Sequence, residues 1–184
     1  KLTNRIERMV LIAPFIELSN QPLPNWSIRL ATRLLRITGL GWLGSGKDSF
    51  PKPFAGNSLT TDLQRYDRNQ ALYAAHPELR LGPPSASWIN EMLIAIDRVN
   101  EFEHLDQIKV PTLMIAAGND RIVAAQAIER LGNRFRAGRA ITIDGARHEL
   151  LQEADRYRVP TLAAIDAFIP PDQASEPAPA VSSG

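Results

Sequence analysis

Residues 110–120 read Val-Pro-Thr-Leu-Met-Ile-Ala-Ala-Gly-Asn-Asp, a continuous apolar run that stops at a turn and an acid. Residues 140–148 read Ala-Ile-Thr-Ile-Asp-Gly-Ala-Arg-His, a second strand-like run that stops at a glycine and a histidine. Short apolar runs bounded by turn residues are typical of strands buried on both faces of a parallel sheet. Asp120 and His148 therefore follow the carboxyl ends of two predicted parallel strands, where ligands and catalytic groups collect in open α/β sheets.

The remaining elements around these runs predict an α/β core made of residues 1–14 and 110–170. We expect strands at 9–13, 111–116 and 140–143, with a helix at 124–135 that completes a βαβ unit. Three strands make a thin sheet for this length, so we expect more strands upstream of Lys1. A last helix ends near Phe168. Pro160 fits best in its first turn, and residues 155–159 then form a separate turn.

Residues 15–109 predict a mostly helical cap or lid inserted between two strands of the sheet. The helical periodicity of apolar residues and the positions of capping residues indicate helices at 26–38, 62–75 and 86–99.

The first of these helices, 26–38, carries three arginines on one face, at Arg29, Arg33 and Arg36. A basic amphipathic helix can lie on an anionic membrane surface, which predicts peripheral membrane contact. The alternative is a solvated face on a helix that packs inward.

Composition limits the function further. The chain has 184 residues, a net charge of +1 and no cysteine, so nucleic acid is not an expected partner and thiol chemistry is excluded. No two histidines have metal-ligand spacing, and we expect neither a metal nor a cofactor.

No apolar run approaches the length that spans a bilayer. We expect a cytoplasmic protein, in peripheral contact with the inner membrane surface, and a disordered tail at 171–184.

Asp120 and His148 form a plausible catalytic pair by chemistry, but they lack a nucleophile. An aspartate that accepts from imidazole Nδ1 fixes the tautomer and leaves Nε2 free to act as a base. The chain contains no Gly-x-Ser-x-Gly sequence, so we expect the nucleophile to lie upstream of Lys1. By spacing alone, His148 can equally be a satisfied histidine at a strand end, and Asp120 a capping or turn residue.

Longer runs resemble one family. The run 110–123 resembles the acid strand of α/β hydrolases, and 145–155 is similar to the histidine loop of serine hydrolases of the lysophospholipase L2 and monoacylglycerol lipase type. The runs 57–62, 65–66, 77–79 and 81–88 are similar to the cap of bacterial lysophospholipase-like members. One departure is Gly82-Pro83-Pro84-Ser85, where the family tends to have Gly-Gly-Pro-Thr. The resemblance covers nearly all of residues 6–169.

The resemblance implies the C-terminal part of an α/β-hydrolase fold, with Asp120 as the triad acid and His148 as the general base and acid. It implies hydrolysis of carboxylic esters of lipids such as lysophospholipids or monoacylglycerols. The elbow serine and oxyanion-hole loop belong to a missing N-terminal half, so this chain alone is expected to be inactive. Phe15, Trp88 and Val123 are candidates for the acyl or glyceryl pocket by proximity; each has a plain core role as its alternative.

Three interpretations remain open at this point. The first is the serine ester hydrolase of the resemblance. The second keeps the fold with other chemistry, either a serine aminopeptidase or an enzyme with an aspartate nucleophile, as in epoxide hydrolases. The third is a hydrolase-fold binding protein that has lost its serine. The residue at the upstream elbow separates serine chemistry from the aspartate and non-enzyme options, and a substrate panel separates esterase from peptidase.

Overall fold

The core is a parallel sheet of three strands. A computed structural model of the chain describes residues 6–19, 23–44, 46, 50 and 52–169. The strands are β1 (Met9–Ile12), β2 (Thr112–Ala117) and β3 (Gly138–Ile143), in the order β1-β2-β3. The predicted parallel α/β core is confirmed, and each strand begins and ends within two residues of its predicted bounds.

Alternate residues of the central strand β2 supply two apolar layers, one on each face of the sheet. Met114 and Ala116 join a cluster with Ile128 and Leu131 of the helix that follows β2. Leu113, Ile115 and Ala117 join a second cluster on the opposite face. Side chains alternate between faces along a strand, and all six residues of β2 are buried. Burying each large aliphatic side chain stabilises the fold by about 1.5–3 kcal/mol.

The described residues contain six α-helices. They are α1 (Asn25–Ile37), α2 (Leu63–Ala75), α3 (Ala86–Asn100), α4 (Phe102–Gln107), α5 (Ala125–Arg134) and α6 (Asp155–Phe168). Of these, α5 and α6 pack against the strands. The side chain of Asp62 accepts from the Arg65 N–H and caps α2, and Ser85 caps α3 in the same way. The sequence did not indicate α4, because six residues are too few to show a helical period.

The start of α6 was predicted wrongly. The helix begins at Asp155, so Pro160 lies at its sixth position and residues 155–159 are helical. The carbonyl of Ala154 accepts from the N–H groups of Tyr157 and Arg158, which closes the first turn ahead of the proline. Proline removes one backbone donor at an exposed position. Pro160 lies beyond this first turn, and the helix continues through it to Phe168.

The predicted cap corresponds to α1–α4, which lie between β1 and β2 in the chain. Helix α1 packs against α3, but Leu105 of α4 is buried in the core cluster beneath the sheet. The division at residue 109 stays a prediction. The predicted tail, 171–184, lies outside the described residues. None of the helices in the described part of the chain is long and apolar enough to cross a membrane.

Helix α1 pairs two of its three arginines with acids of α3 and exposes large apolar side chains to solvent. Arg29 pairs with Asp97 at 2.6 Å, and Arg36 pairs with Glu91 at 2.6 Å, both on α3. The exposed large apolar residues on the helix are Trp26, Leu30, Leu34 and Ile37, and Leu40, Trp42 and Leu43 follow just beyond it. Both ion pairs are partly exposed to solvent, and membrane contact of this helix stays a prediction.

Candidate active site

Asp120 lies in the turn after β2, with its carboxylate almost fully buried. Its side chain is 1% exposed. The oxygen Oδ1 accepts from the N–H groups of Ile122, at 2.8 Å, and Val123, at 3.0 Å. These two bonds fix the carboxylate, so that Oδ2 points away from the turn and is available to a second partner.

His148 lies in the loop after β3 and supplies that partner. Its Nδ1 is 2.7 Å from Asp120 Oδ2. A carboxylate can only accept, so Nδ1 carries the hydrogen and donates. The remaining ring nitrogen, Nε2, is then the basic one, and the side chain is 25% exposed. The structure thus joins the two predicted catalytic residues in the orientation that an acid–histidine pair requires.

Two glycines allow the strand ends to meet. A Cβ on Gly118 would lie 3.0 Å from the Asp144 Cα, so the turns after β2 and β3 touch through backbone. Gly145 has φ +77°, in the left-handed region that favours glycine, and the chain turns there into the histidine loop. Backbone contact between these turns brings the Asp120 and His148 side chains within hydrogen-bonding distance.

The electrostatics favour a charged Asp120. Burial alone would raise the pKa of this carboxyl, but the hydrogen bonds from His148, Val123 and Ile122 outweigh burial and lower the pKa below its usual range. The neighbouring Glu149 behaves oppositely: burial raises its pKa, and the charge of His148 only partly offsets this. Asp120 is therefore the fixed anion of the site.

A second buried carboxylate, that of Glu153, was not singled out from the sequence. Glu153 is 0% exposed and lies five residues after His148. Its carboxylate accepts from the N–H of Arg147, the residue before the histidine, at 2.8 Å. The only sequence signal is an acid in a short run that also holds a histidine, and charged residues are rarely buried completely without partners.

An open groove of about 290 Å³ lies beside the imidazole. Its lining includes His148, Leu150 and Leu151 of the loop, with Ile12 and Ala13 at the end of β1. Ala13 has φ 44°, which is uncommon for a residue with a Cβ, and the chain leaves the sheet there. Apolar walls beside a partly exposed base suit a ligand with an apolar part.

The three predicted pocket residues lie apart from this groove. Val123 is 0% exposed and belongs to the core cluster, where its N–H serves Asp120. Phe15 is partly buried against the same cluster. Trp88, on α3, is 56% exposed. Contact of these side chains with a substrate stays a prediction. No cluster of histidine and acidic residues suited to a metal ion occurs within the described ranges.

In α/β hydrolases the triad residues follow the chain order Ser…Asp…His. The C-terminal part of that fold therefore places an acid after one parallel strand and the histidine after the next, as this chain does. The chain belongs to the family described as serine aminopeptidase, S33, whose sequence profile matches residues 1–155.

Curated relatives in sequence are lysophospholipases by name. The chain is 37% identical over 123 residues to lysophospholipase L2 of Escherichia coli (strain K12), covering 63% of this chain and 36% of that protein. It is 28% identical over 169 residues to the probable lysophospholipase L2 of Haemophilus influenzae, covering 90% of this chain and 52% of that protein. The chain thus spans between about a third and about half of these relatives.

Solved structures confirm the fold. The monoglyceride lipase of Saccharomyces cerevisiae superimposes with a TM-score of 0.62 at 15% identity, over 89% of this chain and 55% of that one. The monoacylglycerol lipase of Paleococcus ferrophilus gives 0.58 at 18% identity, over 90% and 60%. The resemblance inferred from the sequence motifs is confirmed.

Proposed function

We propose that the full-length protein carrying this chain is a serine hydrolase that cleaves carboxylic esters of lipids such as lysophospholipids or monoacylglycerols. The observation that carries the proposal is the 2.7 Å hydrogen bond between His148 Nδ1 and Asp120 Oδ2 at the carboxyl edge of the sheet. The lysophospholipase names of the curated relatives support the substrate class.

In the proposed reaction, His148 Nε2 takes the proton of a serine hydroxyl as its Oγ attacks the ester carbonyl. The tetrahedral intermediate collapses when the imidazolium returns the proton to the leaving alcohol. Water then hydrolyses the acyl-enzyme with the same base. Asp120 holds the tautomer and stabilises the imidazolium, and its lowered pKa keeps it charged during turnover.

The nucleophile is proposed to come from residues outside this chain. The 184 residues contain no Gly-x-Ser-x-Gly sequence, and the curated relatives are two to three times longer than the matched segment. In the described structure β1 pairs on one side, with β2, and its other side is open to further strands. On this proposal, residues 1–184 alone hydrolyse no ester, and purified chain with ester turnover would refute it.

Labelling with a serine-directed fluorophosphonate tests the proposal on the full-length protein. We expect covalent labelling that His148→Ala abolishes, because the serine loses its base. Ser58→Ala is the matched control: the Ser58 carbonyl accepts from the His148 N–H, at 3.4 Å, so this serine is close to the site. Labelling that persists in His148→Ala would contradict the role of His148, and labelling lost in Ser58→Ala would place the nucleophile in this chain.

Peptide hydrolysis is the second candidate, because the matching family is described as a serine aminopeptidase. The triad chemistry is common to esters and amides, so labelling cannot separate them. A panel of monoacylglycerols, lysophospholipids and aminoacyl p-nitroanilides can. Turnover of the anilides at rates above those of the lipid esters would favour the peptidase.

We also propose that α1 rests on a lipid surface. Trp26, Leu30, Leu34 and Ile37 share one face and are between 53% and 74% exposed. A helix with such a face can lie in the membrane interface. The paired arginines direct this apolar face outward rather than toward α3.

Vesicle flotation tests that contact. The full-length protein should float with vesicles containing phosphatidylglycerol, and a Trp26→Ser/Ile37→Ser double variant should not. Leu63→Ser, which alters an exposed leucine on α2, is the control and should float as wild type does. Equal flotation of the double variant would show that this face does not meet the lipid.

A further inference from the structure

The carboxylate of Glu153 lies at the centre of a buried cluster of hydrogen bonds. Oxygen Oε1 accepts from the Arg147 N–H. Oxygen Oε2 accepts from the Thr61 N–H at 2.9 Å, the Thr61 hydroxyl at 2.6 Å and the Ala154 N–H at 3.0 Å. The Thr60 hydroxyl lies 3.3 Å from Oε2 and donates at 2.8 Å to the Gln152 carbonyl. We call these five residues, Glu153, Arg147, Thr60, Thr61 and Ala154, the carboxylate clamp.

The donors of the clamp keep the buried carboxylate charged. Burial would raise the pKa of Glu153, but the hydrogen bonds from Thr61, Arg147 and Ala154 outweigh burial and lower it. The guanidinium of Arg65 donates to the Glu153 carbonyl oxygen and to Asp155, which brings a positive charge nearby. A buried anion is costly unless hydrogen-bond donors surround it. The Glu153 carboxylate therefore depends on the donors of the clamp staying in place.

The clamp fastens the histidine loop to the segment 57–62. Three successive loop residues bond to it besides the carboxylate contacts: Arg147 Nη1 donates to the Thr60 carbonyl at 2.9 Å, the His148 N–H to that of Ser58 at 3.4 Å, and the Glu149 N–H to that of Leu59 at 2.8 Å. The backbone of His148 is thus held from one side, while Asp120 holds its ring from the other.

We propose that Glu153 is a positioning residue for His148, which sets the imidazole against Asp120 by tying the histidine loop to segment 57–62. The inference rests on the proposed function, because positioning matters to the base of a hydrolase. Since segment 57–62 leads directly into α2, the placement of the helical insertion is linked to the placement of the base.

The two carboxylate oxygens of Glu153 accept different numbers of hydrogen bonds, and this difference predicts which bond Glu153→Gln breaks. An amide has one acceptor oxygen, and three of the four donors to the carboxylate meet at Oε2. The amide oxygen takes that position, so the NH₂ group faces the Arg147 N–H and two donors oppose each other. The hydrogen bond from Arg147, next to His148, is then lost, while the hydrogen bonds from Thr61 are kept.

The test compares Glu153→Gln with Glu103→Gln, which alters an exposed glutamate on α4. In the full-length protein we expect kcat for ester hydrolysis to fall on the order of 10²-fold in Glu153→Gln, with KM within about twofold, because a misplaced base slows chemistry rather than binding. Glu103→Gln should match wild type. Equal kcat in both variants, or a loss confined to KM, would overturn the proposal.

A second pair of variants distinguishes the loss of a hydrogen bond from a general disturbance of folding. Thr61→Ser keeps the hydroxyl that donates at 2.6 Å, and Thr61→Val removes it. We expect Thr61→Ser to retain kcat and Thr61→Val to lose it in part. Loss in both would point to packing alone and would refute the clamp.

Amide exchange of residues 146–150 provides a readout that needs no activity. In Glu153→Gln this exchange should rise at least about tenfold while exchange in β2 stays unchanged, since the loop opens locally. Unchanged loop exchange would overturn the proposal. Faster exchange in a full-length protein without esterase activity would instead refute the proposed function and leave the clamp's hold on the loop intact.

Discussion

Replacing Asp120 with asparagine isolates the role of one charge at nearly constant shape. The amide oxygen can keep both bonds from Ile122 and Val123. The NH₂ group then faces His148 Nδ1, which must become an acceptor, so the ring hydrogen moves to Nε2. An imidazole protonated at Nε2 cannot take the serine proton, so the variant should fold with its base in the wrong tautomer.

The expected losses differ in size. For stability, three charge-assisted hydrogen bonds to the carboxylate, each worth about 1.5–3 kcal/mol, become neutral bonds worth about 0.5–1.5 kcal/mol each, so unfolding should cost about 3 kcal/mol less. For activity, an incorrect tautomer costs about 10⁴ in kcat in triad hydrolases. That factor corresponds to about 5.4 kcal/mol of transition-state stabilisation.

Urea unfolding and ester kinetics on the same preparations of full-length protein make the comparison. Asp166→Asn, an exposed substitution on α6, serves as the control and should leave both quantities unchanged. A variant Asp120→Asn that retains more than about a tenth of the wild-type kcat would refute the tautomer argument. An activity loss no larger than the fraction of the variant that is unfolded would also refute the tautomer argument.

Three further predictions concern stability. Gly145→Ala should lower the free energy of unfolding by about 1–3 kcal/mol, because φ is +77° and the new Cβ would lie 2.9 Å from the Tyr157 hydroxyl oxygen. Met114→Ala should lower it by about 2–5 kcal/mol, because a fully buried side chain leaves a cavity. Acid should destabilise the protein: the pKa values of Asp120 and Glu153 lie below 3.8 and 4.5 when folded, so the stability they give above those values is lost as pH falls through the folded-state pKa values.

Urea titrations measure all three, with controls chosen by exposure. Leu81→Ala, at a side chain 92% exposed, should change the free energy of unfolding by less than about 0.5 kcal/mol. Burial raises the pKa of Glu149, so its protonation stabilises the fold as pH falls, and Glu149→Gln should steepen the acid loss. A flat pH profile, or a Gly145→Ala or Met114→Ala variant as stable as Leu81→Ala, would contradict these arguments.

Local patterns predicted most of the fold. The apolar runs before Asp120 and His148 gave the strands within two residues, because burial on both faces of a parallel sheet demands unbroken hydrophobic sequence. Capping residues such as Asp62 and Ser85 located the helix starts. Pro160 was misplaced because a local rule for proline ignored the Ala154 carbonyl, which closes the first turn before it.

The sequence by itself determined the parallel α/β core and the family and predicted the acid and the histidine as a pair, since each depends on periodicity, strand ends or contiguous motifs. The tertiary structure alone decided which way α1 faces and that Glu153 is buried. Both outcomes depend on partners far away in the chain: acids on α3 for two of the arginines, and Thr61 for the glutamate. A glutamate takes its environment from the donors that surround it, and only the folded chain assembles them.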